Sequence, residues 1–286
     1  MAITSETVKN LREKTGAGMM DCKRALEATN GDMEKAIEYL RKRGAATAEK
    51  RADRVANQGI VVTRIANGGK LGVIVEVNSE TDFVARSQDF IDFANDVTAV
   101  VEKKLPKSID ELLELPYEGG RKVADALSDL VGKIGEKIAI KRFDIVNANN
   151  GIVEAYTHMG SKIGVLVELA AKDSPDAKVV ARDIAMQIAA MNPGVVTRDQ
   201  IAKDVLDREL DIYRQQAKNE GKPEQVHERI ATGRLEKFFQ EVVLLEQSFI
   251  KDASKTIKDV LHETSTKLDD KLAVRQFKRY QLGEEK

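Results

Sequence analysis

Apolar residues recur along this chain with two different periods, and the change of period divides it. Over residues 4–44 the spacing is helical: Val8 and Leu11 lie three apart, and Met33, Ala36, Ile37 and Leu40 share one face. Thr4 or Ser5 opens a first helix, which Thr15-Gly16-Ala17-Gly18 breaks. A second starts near Asp21 and stops at Asn30-Gly31; Asp32 caps a third, and Gly44 is expected to end it. Residues 1–45 therefore read as a three-helix unit with a marginal core, better suited to docking than to chemistry. Residues 46–56, rich in Ala, Lys and Arg, read as a helical or flexible linker.

Beyond residue 56 the pattern becomes strand-like and repeats. Asn57-Gln58-Gly59-Ile60-Val61 returns 92 residues later as Asn149-Asn150-Gly151-Ile152-Val153. At the same offset, Lys70-Leu71-Gly72-Val73-Ile74-Val75-Glu76-Val77 returns as Lys162-Ile163-Gly164-Val165-Leu166-Val167-Glu168-Leu169. Each copy predicts two strands joined by a Gly-containing turn. A later strand, Glu136–Phe143, recurs as Asp270–Phe277 at an offset of 134. The second copy thus carries a net insertion of 42 residues, assigned to about 197–245. There Ile201, Val205, Leu210 and Tyr213 mark one helix, and Val226, Ile230, Phe238 and Val242 another, with Gly221-Lys222-Pro223 between them. This predicts a charged antiparallel helical hairpin, whose second helix Gly233 weakens unless another backbone approaches there. Further helices are expected at about 86–104 and 121–134 in copy one, and 176–191 and 254–265 in copy two. The fold class is α+β: the N-terminal helices, core copy one at 57–148, and core copy two at 149–286 with its insertion.

The copies differ where the second strand hands over to a helix. Copy one has Ser79-Glu80-Thr81-Asp82-Phe83-Val84; copy two has Ala171-Lys172-Asp173-Ser174-Pro175-Asp176, with no aromatic. Thr81 as N-cap, Asp82 in a first turn and Phe83 in the core would be an ordinary reading. A core Phe demanded by the fold should have a bulky equivalent in copy two, so its absence favours a copy-specific role. An acid and an aromatic on a rigid strand end suit a probe that projects into a partner.

Composition narrows the function classes. The chain has 286 residues, with 46 Lys plus Arg against 47 Asp plus Glu, so no global basic field for nucleic acid or anionic membrane exists. The single cysteine, Cys22, precludes an intrachain disulfide and fits a reducing compartment. No secretory signal or membrane-length apolar run is evident, so a cytoplasmic protein is expected. His158, His227 and His262 lack metal-ligand spacing, and no Gly-x-Ser-x-Gly elbow occurs. Gly68-Gly69-Lys70-Leu71-Gly72 lacks phosphate-loop spacing and reads as a hairpin turn. No catalytic residue, cofactor or metal is assigned. Protein-binding features are better. Gly18-Met19-Met20 lies at a helix junction where methionines either fill a small core or present an adaptable contact. His158-Met159-Gly160 lies at the copy-two turn, as an ordinary turn or as a contact.

Three signatures then carry a resemblance. Leu11-Arg12-Glu13-Lys14-Thr15-Gly16-Ala17-Gly18-Met19-Met20-Asp21-Cys22-Lys23-Arg24-Ala25-Leu26 resembles the N-terminal signature of the bacterial elongation factor Ts family. Thr81-Asp82-Phe83-Val84-Ala85 resembles its second signature, and Tyr156-Thr157-His158 with Ile163-Gly164-Val165-Leu166 a third. The resemblance covers essentially the whole chain. It implies a ubiquitin-associated-like N-terminal bundle, a duplicated core with an inserted coiled coil, and a guanine-nucleotide exchange factor for elongation factor Tu that is not an enzyme. It further implies that Asp82 and Phe83, flanked by Thr81 and Val84, enter the GTPase near its magnesium site. Arg12, Met19 and Met20 would dock the bundle, and His158 would contribute to the copy-two contact. The hairpin would touch the GTPase or a second copy of the chain, in a homodimer or a two-plus-two complex. The rival expectation is a ubiquitin-associated-like adaptor that uses residues 1–45 without exchange activity.

Overall fold

The computed structural model describes residues 3–284. The N-terminal segment folds into α1 (Ser5–Thr15), α2 (Met19–Ala28) and α3 (Met33–Arg51). Thr4 caps α1, with Gly16 closing it in a left-handed conformation. Val8, Leu11, Cys22, Ala25, Leu26 and Ala36 form its small core. One expectation fails here. Gly44 does not end α3, which continues to Arg51 and takes in half of the stretch read as a linker. Gly44 is buried inside the helix, where the absent side chain admits a neighbouring helix.

The remainder is mixed α and β. Copy one contributes β1 (Gln58–Ala66), β2 (Leu71–Ser79), α4 (Asp82–Ala85), α5 (Gln88–Lys104), α6 (Ile109–Glu114), α7 (Val123–Ile134) and β3 (Ile138–Asn147). Its sheet is antiparallel in the order β1-β2-β3. Copy two contributes β4 (Ile152–Thr157), β5 (Ile163–Ala170), α8 (Pro175–Met191), α9 (Lys203–Asn219), α10 (Glu224–Val242), a short pair β6 (Ser248–Phe249) and β7 (Asp252–Thr256), α11 (Ile257–Leu268) and β8 (Ala273–Gln281). Its sheet is ordered β4-β5-β8. The short helix α6 and the β6–β7 pair are not foreshadowed by the apolar pattern. α9 and α10 pack together around the turn at Glu220–Pro223, with Arg214 bonded to Glu228 and Arg234 to Glu220.

The repeat in sequence is a repeat in space. Both sheets carry a register shift after the same glutamate, at Glu76/Val77 and at Glu168/Leu169. Every residue of β2 is buried, because the sheet is covered on both faces. Leu71, Val73, Val75 and Val77 pack on α5 and α7. Ile74 points the other way, into a core shared by the two sheets that also holds Val61, Val146, Val153, Leu166 and Tyr280. That interface is pseudo-symmetric. The Val61 N–H donates to the Ser161 carbonyl and the Val153 N–H to the Gly69 carbonyl, both at 2.7 Å. Gly72 abuts Val153 while Gly164 abuts Val61; a Cβ at either glycine would lie 2.6 Å from the valine methyl. Period-2 alternation therefore sorts each central strand into a helix-facing and a sheet-facing half.

Candidate functional site: the strand–helix tip of copy one

β2 ends at Ser79, and Thr81 starts the single turn α4. The Thr81 hydroxyl accepts from the Val84 N–H at 3.4 Å, a long cap bond. Stronger restraint comes from Glu136, just before β3. Its carboxylate accepts from the Thr81 N–H at 3.0 Å and from the Thr81 hydroxyl at 2.8 Å. Ser79 donates to the Thr81 carbonyl at 2.9 Å. Ala85 is buried, and Val84 packs inward on the copy-one core. Of the four residues singled out here, Thr81 and Val84 thus anchor the turn, and Asp82 and Phe83 project from it. Phe83 is 83% exposed, far beyond what a core role would show. Asp82 lies beside Arg86, 2.9 Å away one turn along. An apolar ring and an oriented carboxylate are held out on backbone that is pinned on three sides.

The remaining candidates occupy two other places. Arg12 is exposed near the end of α1, and Met19 and Met20 are 42% and 59% exposed in the first turn of α2. The helical core is filled by other residues, and these methionines lie on the surface. His158 is exposed in the β4–β5 turn, its Nδ1 2.9 Å from the Tyr156 hydroxyl. Beside it Met159 is 89% exposed, an apolar tip on the same turn. The same turn supplies the Ser161 carbonyl to β1, so it is tied into the inter-sheet contact.

Gly68 and Gly69 sit in the tight β1–β2 turn with positive φ, and the Gly69 carbonyl is taken by Val153. That turn is a hairpin facing the second sheet, in keeping with its lack of phosphate-loop spacing. Among the described residues, no group of three or more His, Cys, Asp or Glu side chains could hold a metal ion. No described helix is long and apolar enough to cross a membrane.

Two further residues beside the tip, Glu80 and Glu136, hold it through contacts that no local sequence pattern signals. Glu80 accepts from the Lys137 backbone N–H at 2.6 Å and pairs with Arg51 and Arg54 at 2.9 and 3.0 Å. These bonds, the backbone one foremost, hold its carboxyl below the usual glutamate range. Glu136 is the second, through Thr81. Their partners are more than 25 residues away along the chain, and no local spacing announces such pairs.

Comparison with known proteins identifies the family. The family model described as Elongation factor TS matches residues 80–284. The chain belongs to the elongation factor Ts family. Elongation factor Ts of Chloroherpeton thalassium is 49% identical over 286 residues, covering 99% of each chain. That of Chlorobium limicola is 50% identical over 285 residues, again 99% of each. The Clostridium perfringens protein is 44% identical over 283 residues, 99% of this chain and 93% of its own. Membership of the elongation factor Ts family places the chain in translation elongation.

Proposed function

We propose that this chain is a guanine-nucleotide exchange factor that binds elongation factor Tu and promotes release of its GDP. The observation that carries this reading is Phe83, an apolar ring 83% exposed on a turn fixed by Glu136, beside Asp82. A GTPase holds GDP through a phosphate loop and Mg²⁺. A rigid ring with an acid beside it favours a partner state in which those contacts are misaligned. No proton needs to move and no bond needs to break, so the chain acts by binding rather than as an enzyme. Interaction gained over a broad surface stabilises the nucleotide-poor state of the GTPase.

The rest of that surface comes from the other exposed groups. Arg12, Met19 and Met20 on the N-terminal helices, acting as a ubiquitin-associated-like docking bundle, contact the GTPase domain. His158, with Met159, contacts another part of the same partner. α9 and α10, as an antiparallel hairpin, add a contact to the GTPase or to a second copy of this chain. Together they suit an interface of about 2,000 Å² or more. The test is acceleration of labelled-GDP release from elongation factor Tu by the full chain. Absence of acceleration, with binding through the N-terminal helices alone, would instead support an adaptor that uses the exposed methionines.

A further inference from the structure

The N-terminal helices meet the rest of the molecule mainly along α3, which crosses α7. The crossing is made by glycine. A Cβ on Gly132 would lie 2.8 Å from the Gly44 Cα, and one on Gly44 would lie 3.1 Å from the Ser128 carbonyl oxygen. One turn on, Ala48 packs on the copy-one core. Beyond this crossing the Lys133 side chain reaches the α1–α2 loop, where a Cβ on Gly16 would lie 2.6 Å from its Cε. A cleft of about 520 Å³ lies between the two parts, lined by charged side chains such as Lys14, Arg41, Asp92 and Asp129. One close backbone crossing and one flexible lysine side chain beside an open cleft leave the angle of the arm to be set elsewhere.

The end of α3 supplies the second fixing point. Arg51, its last residue, and Arg54 just beyond both donate to Glu80, which also accepts from the Lys137 backbone. The Lys137 ammonium returns to the same segment, donating to the Ala52 carbonyl and, at 2.7 Å, to the Arg54 carbonyl. The Glu80 side chain is only 18% exposed. Charge-assisted bonds of this kind are short and directional, and shielding strengthens them relative to open surface pairs. Glu80 immediately precedes Thr81. One carboxylate therefore fastens both the arm that carries Met19 and Met20 and the base of the tip that carries Phe83.

We propose that Glu80 is a positioning residue, which fixes the N-terminal docking end relative to the Asp82–Phe83 tip so that both engage one partner molecule together. The proposal rests on the exchange reading above. Two contacts on one rigid frame bind with a high effective concentration, which is lost when the frame can swing. The tip itself is held by Glu136 and so keeps its shape when Glu80 is changed.

Spin labels on full-length chains carrying Glu34→Cys and Asp110→Cys, both at exposed positions, report the geometry of the arm, with the buried Cys22 left in place. The parent should give a narrow distance distribution, which Glu80→Gln broadens. In labelled-GDP release from elongation factor Tu, the half-saturating concentration should rise about tenfold, while the maximal rate stays within about twofold. The paired change Arg51→Ala with Arg54→Ala, which leaves Glu80 and its backbone bond untouched, should do the same. Distributions that stay narrow in both variants overturn the proposal. So do broadened distributions with an unchanged half-saturating concentration. A parent that releases no GDP removes the exchange reading and the positioning role with it, while the distances still report whether Glu80 fixes the arm.

Discussion

At the scale of the residue, exposure separates groups of the same type. Phe83 and Phe90 lie seven positions apart, yet Phe83 is 83% exposed and Phe90 fully buried between α5 and the sheet. Phe83→Ala should leave the thermal midpoint nearly unchanged, as surface substitutions stay within about 0.5 kcal/mol. Phe90→Ala should cost about 3–5 kcal/mol. Measured together, unfolding and GDP-release rates separate the two: Phe83→Ala should lose most acceleration while folded, and a large stability loss with normal release would sink the projecting-ring reading. Glu80 adds a pH dependence. Its folded pKa lies below the ordinary 4.5, so its contribution is present above that pH and is lost as pH falls through the folded value. The stability gap between the parent and Glu80→Gln, measured by denaturant unfolding, should therefore be open at pH 7 and close below about pH 4.5. The projecting residues were legible because the two copies could be compared and only one carries an aromatic. Glu80 and Glu136 were not, because an abundant residue type acquires its role only when β3 comes to lie beside the end of β2.

At the scale of the element, the glycines show which local signals survive folding. Gly59 and Gly151 begin corresponding strands with φ of 146° and 157°. A Cβ there would lie 2.1 Å from the Val77 carbonyl oxygen and 2.3 Å from that of Leu169. Gly59→Ala and Gly151→Ala should each destabilise by more than about 1 kcal/mol. Gly233 is the contrast: it lies inside α10, with nothing within 4 Å of where its Cβ would stand. Gly233→Ala should raise stability by roughly 0.5–1 kcal/mol, since only the helix propensity changes. A fall in the denaturant midpoint for that variant would mean that a neighbour fills the space. The strand pairs and their turns were readable because alternation and Gly-containing turns are local. Gly44 misled because a glycine after a helical run reads as a stop, whereas here it is a contact with Gly132, 88 positions away. Nothing local distinguishes the two uses. The β6–β7 pair was missed because strands this short carry no alternation to detect.

At the scale of the whole molecule, the two sheets share one core, and the N-terminal helices are fastened to it at Gly44 and Glu80. Removal of residues 1–54 takes away a unit with its own core and leaves both sheets with theirs, so circular dichroism should show a folded remainder that binds elongation factor Tu much more weakly. An unfolded remainder would refute that independence. Action at a distance on the nucleotide imposes a stricter test. The β1–β2 turn that superficially suggests a phosphate loop joins two strands and lacks phosphate-loop spacing, so the proposed effect on GDP runs through the partner. Binding free energies are reciprocal. If this chain lowers the affinity of elongation factor Tu for GDP by some factor, GDP must lower the partner's affinity for this chain by the same factor. Titration calorimetry of nucleotide-free against GDP-loaded elongation factor Tu should show that difference, and Mg²⁺ should enlarge it, because the Asp82–Phe83 tip is expected to disturb the metal site. Phe83→Ala should shrink the difference by weakening binding to the nucleotide-free form. Equal affinities for the two forms would exclude exchange, since a ligand that binds both states equally shifts neither.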